Sequence, residues 1–197
     1  MVIGAMINNE TVRRAQNGDR AAFAALVREY GARAVNLAHQ LVGNRELAGE
    51  IAQEALVKAW ANLRQLKSEA AFYPWLARIV VNQARNQFRA AGRRPASATD
   101  IDGELNLDNG GMTVSGRVND EVEPPFKTAQ LRELKAAMDK AMAELPFNYR
   151  SALAMFTLDG MSHAEIAATL EIPEETVRWR VHQARKMLRE KLKEYID

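Results

Sequence analysis

The residues best suited to do chemistry lie near the C-terminal end, in "EETVRWRVHQARKMLREKLK", Glu174 to Lys193. Val177, Val181, Ala184, Leu188 and Leu192 recur every three or four residues and share one face of a helix. Arg178, His182, Arg185 and Arg189 form a second stripe about a quarter turn away, with Trp179 and Lys186 further round. Arg is the natural donor to guanine O6 and N7, and Lys and His contact phosphates or bases. The chemistry on offer is recognition of a nucleic acid. From this helix alone, a solvated basic face is an equally good reading.

Bond-making chemistry has little to stand on. His39, His163 and His182 lie far apart and form no HExxH or related ligand spacing. Gly110-Gly111 fits neither GxGxxG nor a loop followed by GK[ST], and no pair of carboxylates is positioned for acid–base work. The chain has no cysteine, which excludes disulfides, thiolate ligands and a thiol nucleophile and fits a reducing compartment. No catalytic residue, metal or cofactor is predicted.

The elements that position the basic helix settle its reading. "SHAEIAATL" opens with Ser162 and carries Glu165 three positions later, a capping box. The short turn "EIP" leads into the basic helix, with Glu174 and Glu175 where the helix dipole favours negative charge. Two helices joined by so tight a turn, the second longer and basic, predict a helix-turn-helix, whose second helix presents its early residues to base edges in the major groove. Trp179, off the core stripe, is then a groove contact or part of an interface.

Upstream, residues 11–90 read as helices. Phe23, Leu26, Val27, Tyr30, Leu37 and Leu41 mark one stripe, and Gly43-Asn44 supplies a stop. "RELAGEIAQEALVKAWANL" places Leu47, Ile51, Ala55 and Trp60 inward, with Glu46, Glu50, Gln53, Glu54 and Lys58 outward. A third helix begins near Pro74 and runs through Trp75, Leu76, Ile79, Val80 and Phe88. From Gly92 to about Pro125 the periodicity vanishes into Gly, Pro, Ser, Asn and Asp. Helical spacing resumes with Leu131, Leu134, Met138, Ala141, Met142 and Leu145 before Pro146. The expected fold is all-α: two small helical domains with independent cores, 10–92 and 128–197, joined by a long flexible linker, 93–127.

Charge follows the same division. The net charge is +2, but Pro95 to Phe126 holds seven acids and one base, 1 − 7 = −6, leaving +8 on the remainder. A basic body with an acidic strap suits a nucleic-acid binder. No apolar run approaches the roughly 20 residues that span a bilayer, and the N-terminus lacks a secretory pattern. A cytoplasmic protein without membrane insertion is expected.

At this point the order of pieces resembles the extracytoplasmic function (group 4) sigma factors of bacterial RNA polymerase, from about Gly18 to Lys193. "GDRAAFAALVREYGARAVNLAHQLVGNRELAGEIAQEALVKAWANL" and "FYPWLARIVVNQARNQFRAAGRR" look like sigma domain 2. "AMAELPFNYRSALAMFTLDGMSHAEIAATLEIPEETVRWRVHQARKMLREKL" looks like sigma domain 4. The resemblance implies an alternative sigma factor that binds core RNA polymerase and directs promoter-specific initiation, with an anti-sigma factor as regulator. It implies docking on the clamp helices of the largest subunit, and on the flap, with Glu50, Gln53, Glu54 and Lys58 on the clamp-facing segment. It implies recognition of the −10 element by Phe72, Tyr73, Trp75, Arg78, Asn82, Arg85, Asn86 and Arg89, types able to stack on bases and hold phosphates. It assigns −35 reading to Thr176, Arg178, Trp179, Arg180, His182, Arg185 and Lys186. The acidic strap corresponds to the family linker that threads toward the RNA exit channel.

Three positions depart from the family pattern: Trp179 stands where serine is usual, Asn86 where aspartate is common, and Gly49-Glu50 where an acidic pair is common. The promoter sequences are accordingly not predicted. Two other functions compete: a stand-alone helix-turn-helix regulator dimerising on a palindrome, which leaves the first half unexplained, and a sigma mimic that titrates an anti-sigma factor. Retention of Arg178, Arg180, Arg185 and Lys186 counts against the mimic.

Overall fold

The computed structural model describes residues 9–90 and 125–196. Most of the expected linker, residues 93–124, lies outside them.

The first set of helices is α1 (Asn9–Gln16), α2 (Arg20–Val42), α3 (Arg45–Asn62) and α4 (Phe72–Ala90). Local chemistry sets their ends. The Asp19 carboxylate accepts from the Ala21 and Ala22 amides at the start of α2, and Arg14 grips its other oxygen at 2.6 Å. The expected stop at Gly43-Asn44 is one glycine and one cap: Gly43 takes the left-handed conformation (φ 70°), and Asn44 then accepts from the Leu47 amide to begin α3. Two 3₁₀ turns, Leu63–Gln65 and Glu69–Ala71, bring the chain to α4, where Pro74 sits in the first turn.

The core forms where the stripes meet. Leu26, Leu37, Leu41, Ile51, Leu76 and Val80 are fully buried. On α3 the buried face is mostly alanine, Ala48, Ala52, Ala55 and Ala59, which lets α2 and α4 pack closely against it. Trp60, expected inward, is half-buried against Phe23, with ring centroids 4.8 Å apart.

The second set comprises α5 (Pro125–Ala143), α6 (Phe147–Thr157), α7 (His163–Leu170), α8 (Glu174–Lys191) and the short α9 (Lys193–Ile196). The capping box is present: the Ser162 hydroxyl accepts from the Glu165 amide, and the Glu165 carboxylate accepts from the Ser162 amide at 2.8 Å. Helix α7 ends on Glu171 in the left-handed region (φ 55°), and α8 starts after Pro173. Val177, Val181 and Ala184 bury the predicted face of α8.

The box makes a prediction. Ser162→Ala should cost about 1 kcal/mol in a thermal or urea melt. The Ser162 amide, and then its hydroxyl, hold the Glu165 carboxyl below its ordinary range. A depressed folded-state pKa means that Glu165's contribution is present above the usual glutamate range and lost as pH falls through the depressed value. The wild type should therefore lose stability on acidification more steeply than Glu165→Gln.

The expectation of independent cores needs correction. The buried apolar side chains form one continuous cluster running from Val12 to Ala184. Helix α2 contacts α5 and α6, and α4 contacts α7. Periodicity reports which face of a helix is buried but not which helix covers it.

Candidate nucleic-acid interface

Three groups of predicted side chains sit on three helices. On α3, Glu50, Gln53, Glu54 and Lys58 are all exposed and share one face. The face is braced from α4 by Gln83, a residue the sequence reading did not single out. Lys58 Nζ donates to Gln83 Oε1 at 2.6 Å, and Gln83 Nε2 donates to Glu54 Oε2 at 2.5 Å. Gln83 is itself buried, so it holds the acid and the base a fixed distance apart. Gln53 also lines an open apolar groove of about 590 Å³ between α2 and α3, together with Phe23, Val27, Leu56 and Trp60.

On α4 the predicted residues divide. Asn82, Asn86 and Arg89 are exposed, and Trp75, Arg78 and Arg85 are half-buried. Phe72 and Tyr73 are buried, which corrects the expectation that they offer their rings to DNA in this arrangement. Phe72 packs against Tyr30 and Trp75, and Tyr73 stacks on Tyr30 with centroids 5.5 Å apart. The Tyr73 hydroxyl donates to Asp159 Oδ1 at 2.5 Å; burial, with this bond, pushes the phenol far above its usual range. The Arg33 guanidinium lies 3.7 Å above the Tyr73 ring and donates to the Asp159 carbonyl at 3.1 Å. Burial of Asp159 raises its carboxyl pKa, with Tyr73 and Arg33 pulling the other way.

On α8 the basic stripe is as drawn from the spacing, with one exception. Arg178, Trp179, His182, Arg185 and Lys186 are exposed and Thr176 is half-buried. Arg178 pairs with Glu174 at 2.6 Å. Arg185 lies over the Phe156 ring at 4.8 Å, and Phe156 stacks on His163. Trp179 packs a tilted face on Tyr149 with centroids 5.6 Å apart, leaving 48 % of the residue exposed. Arg180 is the correction: it is buried, and its pKa is lowered by burial, with Tyr149 opposing and the Arg85 charge adding to the shift. A side chain two positions after an exposed one falls about 200° round the helix, which puts Arg180 on the side that meets the rest of the chain.

What the three faces can do follows from their chemistry. Helix α8 offers a row of cations and one aromatic ring to a duplex, α4 offers amides and cations with a partly exposed indole, and α3 offers a braced acidic and basic face beside an apolar groove. Sequence reasoning missed Gln83, Arg33 and Asp159, each of which acts across helices and carries no periodic signal.

Comparison with known proteins adds the following. Residues 26–94 match the family model described as Sigma-70 region 2, and residues 135–188 match Sigma-70, region 4. The chain is 35% identical to the ECF RNA polymerase sigma-E factor of Escherichia coli over 94% of both chains. It is 31% identical to the RNA polymerase sigma-H factor of Pseudomonas aeruginosa over 92% of this chain and 91% of that one. Among solved structures it resembles the sigma factor RpoE in complex with the anti-sigma factor NepR from Bartonella quintana (TM-score 0.66, 23% identity, 87% of this chain and 96% of that one). It also resembles CnrH in complex with the cytosolic domain of CnrY (TM-score 0.65, 21% identity, 95% and 97%). At that identity the two structures speak for the fold.

Proposed function

Because the chain belongs to the extracytoplasmic function group of the sigma-70 family of RNA polymerase sigma factors, we propose that it binds core RNA polymerase and directs initiation at promoters it recognises through their −10 and −35 elements. One observation carries this: both sigma regions occur on one chain, in order, and the relation to the sigma-E factor runs through 94% of each protein.

The residues divide the work. The α3 face of Glu50, Gln53, Glu54 and Lys58 docks on the clamp helices of the polymerase. Trp75, Arg78, Asn82, Arg85, Asn86 and Arg89 of α4, with Phe72 and Tyr73 supporting them, engage the −10 strand by stacking and phosphate contacts. The exposed cations and Trp179 of α8 read the −35 duplex from the major groove. The protein contributes no catalytic chemistry of its own, since positioning and strand separation need binding energy alone. It works in the cytoplasm, and no described helix is long and apolar enough to cross a membrane. An anti-sigma factor holds it inactive, by analogy with the two fold relatives solved as complexes.

The test is run-off transcription on fragmented bacterial DNA with purified core polymerase, with and without this protein. Discrete new start sites that need both components are expected. Glu54→Ala should weaken core binding about tenfold, or roughly 1.4 kcal/mol, because it removes the acid that Gln83 holds in place. Specific binding to duplex DNA by the protein alone, with no initiation, would make it a stand-alone regulator; failure in both assays would favour the sigma mimic.

A further inference from the structure

The cations of α8 suit phosphates and guanines, but they do not account for the indole among them. Among the described residues of α8, Trp179 is the only large apolar side chain left exposed, at 48 %. It follows Arg178 in the second turn of the helix, the stretch that a recognition helix points at base edges. At about 100° per residue it lies on the side away from the buried Val177, Val181 and Ala184. It shares that side with His182 one turn on and Lys186 two turns on, both exposed. Tyr149 of α6 braces the ring, with centroids 5.6 Å apart and planes inclined by 59°. A ring held in this way has less rotamer freedom left to lose when a duplex arrives.

We propose that Trp179, held by Tyr149, reads the C5-methyl group of a thymine in the −35 duplex, so that this chain selects thymine there by an apolar contact rather than a hydrogen bond. The proposal deepens the function given above and rests on it. The major-groove edges of the base pairs are donors and acceptors, and the thymine methyl is the one apolar group they present. Set against any other base edge, the carbon face of the indole strips water from polar groups without replacing their hydrogen bonds. Set against the methyl, it buries apolar area on both sides of the contact. The same ring therefore rewards thymine and penalises the alternatives. A small hydroxyl side chain at this position would serve donors and acceptors alike and would select no methyl. Tyr149 acts through the indole, as a positioning residue.

The test removes the methyl and nothing else. Holoenzyme assembled from core polymerase and this protein selects duplexes, beyond those that core polymerase retains alone, from an amplified library of bacterial DNA fragments. Amplified DNA carries no methylated cytosine, so thymine is its only source of a C5-methyl group. The selected −35 duplex is then remade with uracil in place of one thymine at a time, on either strand. At one position uracil is expected to weaken holoenzyme binding about fourfold, the change that withdrawing one buried methyl gives. In Trp179→Ser, thymine and uracil should bind alike at that position. Tyr149→Leu should shrink the difference although the indole is still there, and Tyr149→Phe should restore it, a pattern that a role in folding alone does not produce. The uracil comparison is made first in the unmutated protein, so it does not depend on how any variant folds. Uracil equal to thymine at every position in the unmutated protein, or a difference undiminished in Trp179→Ser, would overturn the methyl contact and leave the sigma function standing. A library from which the holoenzyme selects nothing would remove the sigma function, and the methyl contact with it.

Discussion

Arg178→Ala should weaken recognition of the −35 element by roughly 1–3 kcal/mol, about five- to 150-fold, and relax base preference at one position, while core-polymerase binding is unchanged. Arg185→Ala should act differently, weakening binding evenly across sequences and lowering the slope of log affinity against log salt by about one. The difference comes from position on α8. Arg178 lies in the second turn, where a recognition helix presents base-contacting groups, and Arg185 lies two turns later, where a phosphate contact is expected instead. Arg178 must first leave Glu174, but an exposed pair of that kind is worth at most about 1 kcal/mol, less than a bidentate contact to guanine returns. Arg185 is already oriented by the Phe156 ring, which also stacks on His163. Arg185→Lys therefore loses the flat stacking surface and should restore only part of the salt slope. Binding of a −35 duplex by the holoenzyme, measured over a salt series and a set of single-base variants, separates the two residues. Equal, sequence-independent losses for both would remove Arg178 from base reading.

These assignments show which parts of the molecule its sequence declares. The helix-turn-helix is legible because its signals are local: Ser162 and Glu165 cap one helix, Pro173 and Glu174 begin the next, and the apolar stripe at Val177, Val181 and Ala184 fixes which way the cations point. The face of α3 is legible for the same reason. The sequence reading misplaces Arg180 because a cation next to an exposed Trp reads as part of the basic face, whereas here its side chain is buried. Phe72 and Tyr73 were ambiguous in kind, since an aromatic pair before a helix serves a core and a base stack equally well; here the core takes both rings. Asp159 looks like an ordinary turn residue before Gly160, and only the position of Tyr73, far away in sequence, makes it a buried anchor. The family resemblance supplied the domains and their roles but not the way the two halves close on each other.

The largest stability effect should come from Arg150, another residue whose role lies in what reaches it from afar. It is buried on α6, where Nη1 donates to the Leu41 carbonyl at 2.7 Å and Nη2 to the Leu145 carbonyl at 2.9 Å. Its guanidinium also faces the Phe88 ring at 5.6 Å. Burial draws its pKa down to about 10, so the group remains a cation at neutral pH; its charge is met by carbonyl dipoles and a ring, with no acid paired to it among the described residues. Arg150→Ala leaves two buried carbonyls unpaired and opens a cavity, which together should cost about 3–5 kcal/mol. Arg150→Met refills much of the volume and still strands the carbonyls, so about 1–3 kcal/mol is expected. One of those carbonyls ends α2 and the other follows α5, so the fork ties the first set of helices to the second. Its removal should therefore also split a single urea transition into two, with the helix-turn-helix half and the first half melting separately. A single transition in Arg150→Ala, shifted by the same amount as in Arg150→Met, would mean that the fork contributes packing to one half and does not couple the two.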